Sequence, residues 1–404
     1  MIGSRHRAGR AVLRATAGAG VMAMAVPVAL LASPAARHQH PAAPRAAYGR
    51  EQLQRDVNVI HAAGVTGVLA EMDGGRLTVR AGTARLGSGR AVPVNSYIRI
   101  GSNTKTFVAT VLLQLVAEGR VSLDDSVAKW LPGVVTGNGN DGAAITIREL
   151  LQHTSGIYDF TEALPALASS QGYLQSRYRS ATPEQLVAIA MRHKPLFKPG
   201  TSWAYSNTDY VLAGMIIAKA TGQSWATEVR DRITAPLGLR HTFVPGGSPY
   251  LPAPHADLYQ QFTPGGPLTD TTVMNYTWAD AAGAIVSTPD DLDRFFRALI
   301  TGRLLPPAQL AEMEKTVPTI GEQGLLDRYG LGLAWQPLSC GGGYWTHGGD
   351  VLGSSTALGI SANGRRSIVV EAFTELAGEQ AALRQHQLEA DLVDHALCAG
   401  KHSD

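Results

Sequence analysis

The stretch Ile98-Arg99-Ile100-Gly101-Ser102-Asn103-Thr104-Lys105 marks the point at which a β-capable run passes into a helical one. Beyond it, Phe107, Val108, Val111, Leu112 and Leu115 recur at helical spacing and predict an amphipathic helix reaching Glu118. Ser102 and Lys105, three apart at its start, then lie on one face, one turn apart. A serine in a first helical turn has unpaired backbone N–H groups and the positive end of the helix dipole beside it, and both favour an anionic oxygen. A partly desolvated lysine next to that serine can hold a neutral amine and act as its base. Taken alone, S-x-x-K is also what an ordinary capping serine followed by a solvated lysine looks like.

Upstream, a helix is expected over 50–62, then β-capable runs at 65–71 and 76–84 joined at Asp73-Gly74-Gly75, a hairpin signal. Downstream, helical patterns cover about 146–152, 182–193, 207–221 and 289–302. Strand signals return at 331–336, 354–360 and 367–373, with Asn363-Gly364 as the last turn and a final helix near 378–397. The expected architecture is α/β plus all-α. The β-rich ends, 50–104 and 286–404, share one antiparallel sheet flanked by the terminal helices, and a helical subdomain over 105–285 is inserted between them.

The 404 residues suffice for a full core and favour two cooperating subdomains. Apolar residues make up 45% and charged ones 17%, so collagen, coiled coil and long disorder are excluded. Arg5, Arg7, Arg10 and Arg14 precede an apolar run over 15–32 that ends at Ser33, Ala35 and Ala36, the pattern of a signal peptide over 1–36. A flexible leader over 37–49 follows, so a secreted protein without a stable membrane anchor is expected. Cleavage at Ala36 removes those four arginines and no acid, taking the formal charge from +2 to −2. With no basic run carrying interleaved aromatics, nucleic acid is not an expected partner. Cys340 and Cys398 can form one disulfide in an oxidising compartment, two isolated buried thiols being the other reading. Neither H-E-x-x-H nor a close Cys/His cluster occurs, so no metal site is expected.

Two further groups can serve the Ser102 chemistry. Tyr205-Ser206-Asn207 precedes a helix; Tyr205 can pass a proton to a leaving nitrogen if neighbouring cations favour its phenolate, and Asn207 can orient a substrate carbonyl and contact Lys105. His347-Gly348-Gly349-Asp350 lies at a late strand. Its glycines let the backbone run close to substrate, the backbone N–H groups of Ser102 and Asp350 are oxyanion-hole candidates, and His347 can polarise Tyr205 or Lys105. Each motif alone also fits a turn or a cap.

In this order and at this wide separation, Ser102-x-x-Lys105, Tyr205-x-Asn207 and His347-x-Gly349 resemble the motifs of the class C β-lactamase and serine D,D-peptidase family, notably the secreted D-alanyl-D-alanine carboxypeptidases of actinomycetes. The likeness runs over about 50–400 and includes Leu151-Gln152-His153-Thr154-Ser155-Gly156, Tyr329-Gly330-Leu331-Gly332-Leu333 and Ser339-Cys340-Gly341. It implies an acyl-enzyme at Ser102, Lys105 and Tyr205 as the acid/base pair, a site between the two subdomains, and no cofactor. Trp278 resembles a cleft-wall aromatic of the family, although core packing fits it as well. Tyr158 and Phe160 are candidates for another wall, and His153 reads as a structural turn residue.

One departure bears on substrate. In those carboxypeptidases the third motif is similar to His-Thr-Gly-Thr, and an arginine follows the Tyr-Gly-Leu-Gly-Leu segment, so that a free carboxylate is gripped. Here Gly348, Asp350 and Ala334 stand in those places. Such contacts are worth roughly 1.5–3 kcal/mol each, and Asp350 would repel an anion. The expectation is therefore a D-stereospecific amidohydrolase or endopeptidase for small D-amino-acid amides, esters or peptides, acting as a monomer. Peptidoglycan peptides and β-lactams are further partners. A D-alanyl-D-alanine carboxypeptidase, with Arg328 entering from a loop, an esterase and a non-catalytic penicillin-binding sensor are the alternatives.

Overall fold

The computed structural model describes residues 48–320 and 326–399. The expected signal peptide and nearly all of the expected leader fall outside that range. Among the described residues, nine strands form one sheet in the order Leu77–Gly82, Gly67–Met72, Ser367–Ala372, Ser354–Ser361, Gly343–Thr346, Ala334–Pro337, Arg328–Tyr329 and Val317–Pro318, with Gly349–Val351 also paired to Ser354–Ser361. Every pairing in it among the described residues is antiparallel, and register runs Leu69↔Glu371 and Thr356↔Glu371. Strands Gly67–Met72 and Ser367–Ala372 are buried at every position. That lack of alternation follows from cover on both faces.

One face carries Val68, Ala70, Ile368 and Val370 against Leu53, Val57 and Ile60 of helix Arg50–Ala62 and Leu392, Val393 and Ala396 of helix Glu379–Cys398. The other face joins a larger core shared with the helices between the sheet's two halves, from Phe107 and Leu112 to Phe295 and Leu358. The chain leaves toward those helices and returns through neighbouring strands, Ile98↔Ser287 and Arg99↔Val286. The buried Arg99 guanidinium donates to the carbonyls of Thr272, Pro249 and Met274 at 2.8–3.1 Å and lies 4.5 Å from the centre of the Tyr276 ring, fastening the return path to the exit strand.

Several expectations are corrected here. Helix Thr104–Ala117 is not amphipathic; it is buried nearly all round, because it packs against the helices Asn207–Thr221 and Asp280–Gly283 and stacks Phe107 on Phe295 at 3.5 Å. The 105–285 segment is not wholly helical: Tyr259–Gln261 and Leu268–Asp270 pair around a Pro264-Gly265-Gly266 turn and join Thr374–Glu375. The strand expected at 331–336 begins only at Ala334, since Gly332 sits at φ +72° and a Cβ there would lie 2.7 Å from the Ala109 side chain. No described helix is long and apolar enough to cross a membrane.

Candidate active site

Ser102 sits in the 3₁₀ turn Gly101–Asn103 that leads into helix Thr104–Ala117. Gly101 takes φ +49°, and a Cβ on it would lie 3.0 Å from the Asp350 nitrogen; a Cβ on Gly349 would fall 2.0 Å from the Ile100 oxygen. Strand Gly349–Val351 is thus pressed against the Ser102 turn, with the Asp350 backbone beside it. Gly348 has room, its nearest neighbour being Thr356 O at 3.9 Å from a built Cβ, so only the second glycine of the pair is demanded by packing.

Lys105 is fully buried, and its Nζ lies 2.9 Å from Ser102 Oγ, 2.8 Å from Asn207 Oδ1 and 2.9 Å from Ala282 O. The Asn207 amide is oriented by its Nδ2, which donates to Asp159 Oδ2 at 2.8 Å. Both amide oxygens can only accept, so Lys105 donates to each of them; Ser102 Oγ alone among the three partners can donate. An Nζ that has lost a proton therefore aims its lone pair at Ser102. Desolvation drives Lys105 down to about 7, with nearby acids, Asp159 first, pulling the other way.

Tyr205 interacts with Ser102, and its ring centre lies 4.6 Å from Lys105 Nζ. Burial raises its phenol well above the usual range, Tyr329 adding to the effect. The condition set for a phenolate, neighbouring cations that favour it, is outweighed by this burial, which keeps the proton on the phenol. His347 also departs from expectation, since its Nδ1 donates to Gly348 O at 2.7 Å and its Nε2 accepts from Tyr329 Oη at 2.8 Å. Burial and Lys105 lower it to about 3, so it is neutral and is held by Tyr329 rather than by Tyr205 or Lys105.

A family profile described as Beta-lactamase matches residues 51–393. The chain belongs to the β-lactamase family. Penicillin-binding protein 4 of Amycolatopsis lactamdurans is 28% identical over 82% of this chain and 91% of its own length. A D-stereospecific amidohydrolase from Streptomyces sp. shares 44% identity at a TM-score of 0.76, covering 83% of this chain and 98% of its own. The D-amino acid amidase of Ochrobactrum anthropi SV3, complexed with L-phenylalanine amide, shares 30% identity at a TM-score of 0.74 over 87% of this chain and 98% of its own.

In this β-lactamase-family chain two cavities meet at Ser102. One, of about 570 Å³, is bordered by Asp159, Tyr205, His347, Gly348, Asp350 and His386; the other, of about 340 Å³, by Asn207, Trp278, Asp350 and Glu375. Trp278 therefore reaches the cleft. Phe160 does not: it is fully buried in the core, and Tyr158 stacks on His193 at 3.8 Å, so neither borders these cavities. The residue between them, Asp159, is the one that enters the site. Arg328 donates to Thr316 Oγ1 and O and does not line either cavity. Ala334 is buried. Cys340 and Cys398 are disulfide-bonded, which resolves the alternative of two free thiols.

Sequence reasoning missed Asp159, Tyr329, Asp209, Glu375 and His386. His386 Nε2 lies 3.7 Å from Asp350 Oδ1 and 3.6 Å from Glu375 Oε1. Burial pulls this imidazole down, but Asp350 and Glu375 outweigh it and leave it raised, so it is cationic beside two acids. Two signals were available: the motif Tyr329-Gly330-Leu331-Gly332-Leu333, to which no role was given, and the run Tyr205-Ser206-Asn207-Thr208-Asp209, where an acid in the first helical turn reads as helix-end stabilisation.

Proposed function

We propose that the protein is a secreted serine amidohydrolase that cleaves amide, ester or short peptide bonds at D-amino acid residues through an acyl-enzyme on Ser102. The observation that carries this reading is the buried Lys105 amine, its other partners fixed as acceptors and its remaining valence aimed at Ser102 Oγ. Neutral Lys105 takes the Ser102 proton as Oγ bonds to the substrate carbonyl carbon. The negative charge passes to the carbonyl oxygen, for which the N–H groups of Ser102 and Asp350 are the candidate donors. Tyr205 gives its phenolic proton to the leaving nitrogen as the C–N bond breaks, and Lys105 returns one to Tyr205. Water then attacks the ester, with the same pair acting in reverse.

The substrate class rests on what surrounds Asp350. Its side chain is 62% exposed at the cleft, with Glu375 behind it; among the described cavity-lining residues there is no arginine, and the cation beside these acids, His386, is already shared between the two of them. A free carboxylate on the leaving side is poorly served there, whereas a neutral amide is not. The likeness to a D-stereospecific amidohydrolase and a D-amino acid amidase supports the same reading. The disulfide supports an oxidising compartment.

Mass spectrometry of the protein mixed with D-phenylalanine methyl ester, and separately with benzylpenicillin, is expected to give an adduct on Ser102 that is absent from Ser102→Ala. Turnover should favour D-Phe amide over its L enantiomer and over an acyl-D-Ala-D-Ala acid. Asp350→Thr should raise activity on the free acid about tenfold, equivalent to relieving roughly 1.4 kcal/mol of repulsion. A strong preference of the unmodified enzyme for the free acid would overturn the substrate assignment in favour of a carboxypeptidase.

A further inference from the structure

Beneath Tyr205 lies a fully buried pair that the reaction just described does not use. His153, at φ +61°, accepts the Ala204 N–H on its carbonyl at 3.0 Å and the Ser206 N–H on its Nδ1 at 3.3 Å. The chain on both sides of Tyr205 is thus tied to one residue, and the Tyr205 ring lies 4.4 Å from the imidazole centre. The left-handed backbone conformation turns the carbonyl and ring of His153 toward the same loop. Asp209, the other half of the pair, places Oδ2 3.0 Å from the same Nδ1 and receives the Ser155 hydroxyl on Oδ1 at 2.6 Å. Ser155 is fixed in that role because its oxygen also accepts the Ile157 N–H at 3.0 Å.

The hydrogens around Nδ1 can be assigned from these contacts. Nδ1 accepts from Ser206, so it carries no proton of its own, and the proton between Nδ1 and Asp209 Oδ2 belongs to the carboxyl. If Nδ1 held the proton instead, the Ser206 N–H would face a second donor, and a buried unsatisfied N–H costs about 1–3 kcal/mol. We infer that Asp209 is a neutral carboxylic acid donating to His153, and that the uncharged Asp209–His153 pair is the positioning device that holds Tyr205 over Ser102. The ring proton then resides on Nε2, which has no hydrogen-bond acceptor and is ringed by Tyr205, Tyr210, Tyr329 and Trp203; this leaves one polar group unpaired, whereas the other tautomer leaves two, the Ser206 N–H and the Nε2 lone pair.

Electrostatics agrees with this assignment. Burial raises Asp209 well above the carboxylate range, with Ser155 and Lys105 lowering it and Asp159 raising it; burial, Lys105 and His347 hold His153 well below the usual imidazole range. The arrangement is the reverse of an ionised carboxylate polarising a histidine: no charge is needed, only a donor at Oδ2 and an acceptor at Oδ1. Asparagine supplies both.

The inference rests on the role of Tyr205 proposed above, and the test separates the two. Turnover of D-Phe amide and D-Phe methyl ester is compared in the unmodified enzyme, Asp209→Asn and Asp209→Ala, with circular dichroism to score folding. Asp209→Asn should keep amide turnover within a few-fold and leave its pH profile unchanged, while the infrared difference spectrum against the unmodified enzyme shows the loss of one protonated-carboxyl component. Asp209→Ala should lose on the order of 100-fold on the amide through a misplaced Tyr205, and much less on the ester, whose leaving group needs less proton donation. If folded Asp209→Asn loses amide turnover as severely as Asp209→Ala, or if no protonated-carboxyl component is lost from its spectrum, the neutral pair is overturned. Should Asp209→Ala fail to fold, Asp209→Asn and the infrared difference spectrum still decide. An unmodified enzyme with neither turnover nor Ser102 adduct refutes the proposed function instead.

Discussion

At the scale of single residues, the decisive quantity is the charge on Lys105. Three oxygen partners would suit an ammonium, yet complete burial costs the charge enough to bring the amine down to about 7. The base form is the neutral one, so acylation should be lost as pH falls and Lys105 takes up a proton. With kcat/KM for D-Phe amide measured from pH 5 to 9, the expected profile is a tenfold rise per unit that levels off near pH 7. His347, already neutral, should add no limb in that range. Lys105→Arg, which cannot shed a proton, should cost about 10²–10⁴-fold at every pH. A flat profile would mean that Lys105 is not the base. Spacing put the candidate pair Ser102 and Lys105 one helical turn apart but also fitted an ordinary capping serine; the order of the three motifs and their family resemblance singled the pair out. No role was legible for Asp159 or Tyr329. Asp159 acts through Asn207, 48 positions away, and Tyr329 through His347 on another strand, and no local pattern marks such contacts.

At the scale of elements, the approach of strand Gly349–Val351 to the Ser102 turn sets the site. Gly349→Ala puts a methyl 2.0 Å from the Ile100 oxygen and 2.6 Å from Asn103 Nδ2, both main-line supports of the turn. Backbone has to move, at about 1–3 kcal/mol of stability, and the Asp350 nitrogen moves with it. Thermal unfolding and kcat should therefore fall together for Gly349→Ala, with kcat down tenfold or more. Gly348→Ala, with open space around it, should stay within about 0.5 kcal/mol of the parent. Equal effects of the two substitutions would mean that close packing is not why glycine stands at 349. The paired glycines were visible in the sequence as a device for close approach, but their target was not. Only the fold shows that the crowded side faces Ile100. The helix after Ser102 is a similar case: its period was readable, yet it packs on all sides because the helices that bury its polar-looking face come from residues near 207–221 and 280–283.

At the scale of the whole molecule, the sheet joins strands from both ends of the chain, so Gly67–Met72 pairs with Ser367–Ala372 across some three hundred residues. The two-ended sheet was legible because strand signals cluster at both ends; the small sheet at Tyr259–Gln261 was not, its strands being too short to show a period. Helix Glu379–Cys398 closes the outer face of this long-range assembly, and Cys340–Cys398 ties its last turn to the loop before strand Gly343–Thr346, a separation of 58 residues. A cross-link closing a loop of that size removes unfolded-state entropy worth about 2–4 kcal/mol. The double variant Cys340→Ala/Cys398→Ala should lose that stability in denaturant titration. Its turnover of D-Phe amide at low temperature should be kept, because neither cysteine borders the cavities at Ser102. The same helix also bears His386 and Glu389, which do border the larger cavity. An activity loss at a temperature where the variant remains folded would therefore mean that the disulfide holds the cleft wall as well as the fold, with the helix shifting as a rigid piece once its end is released.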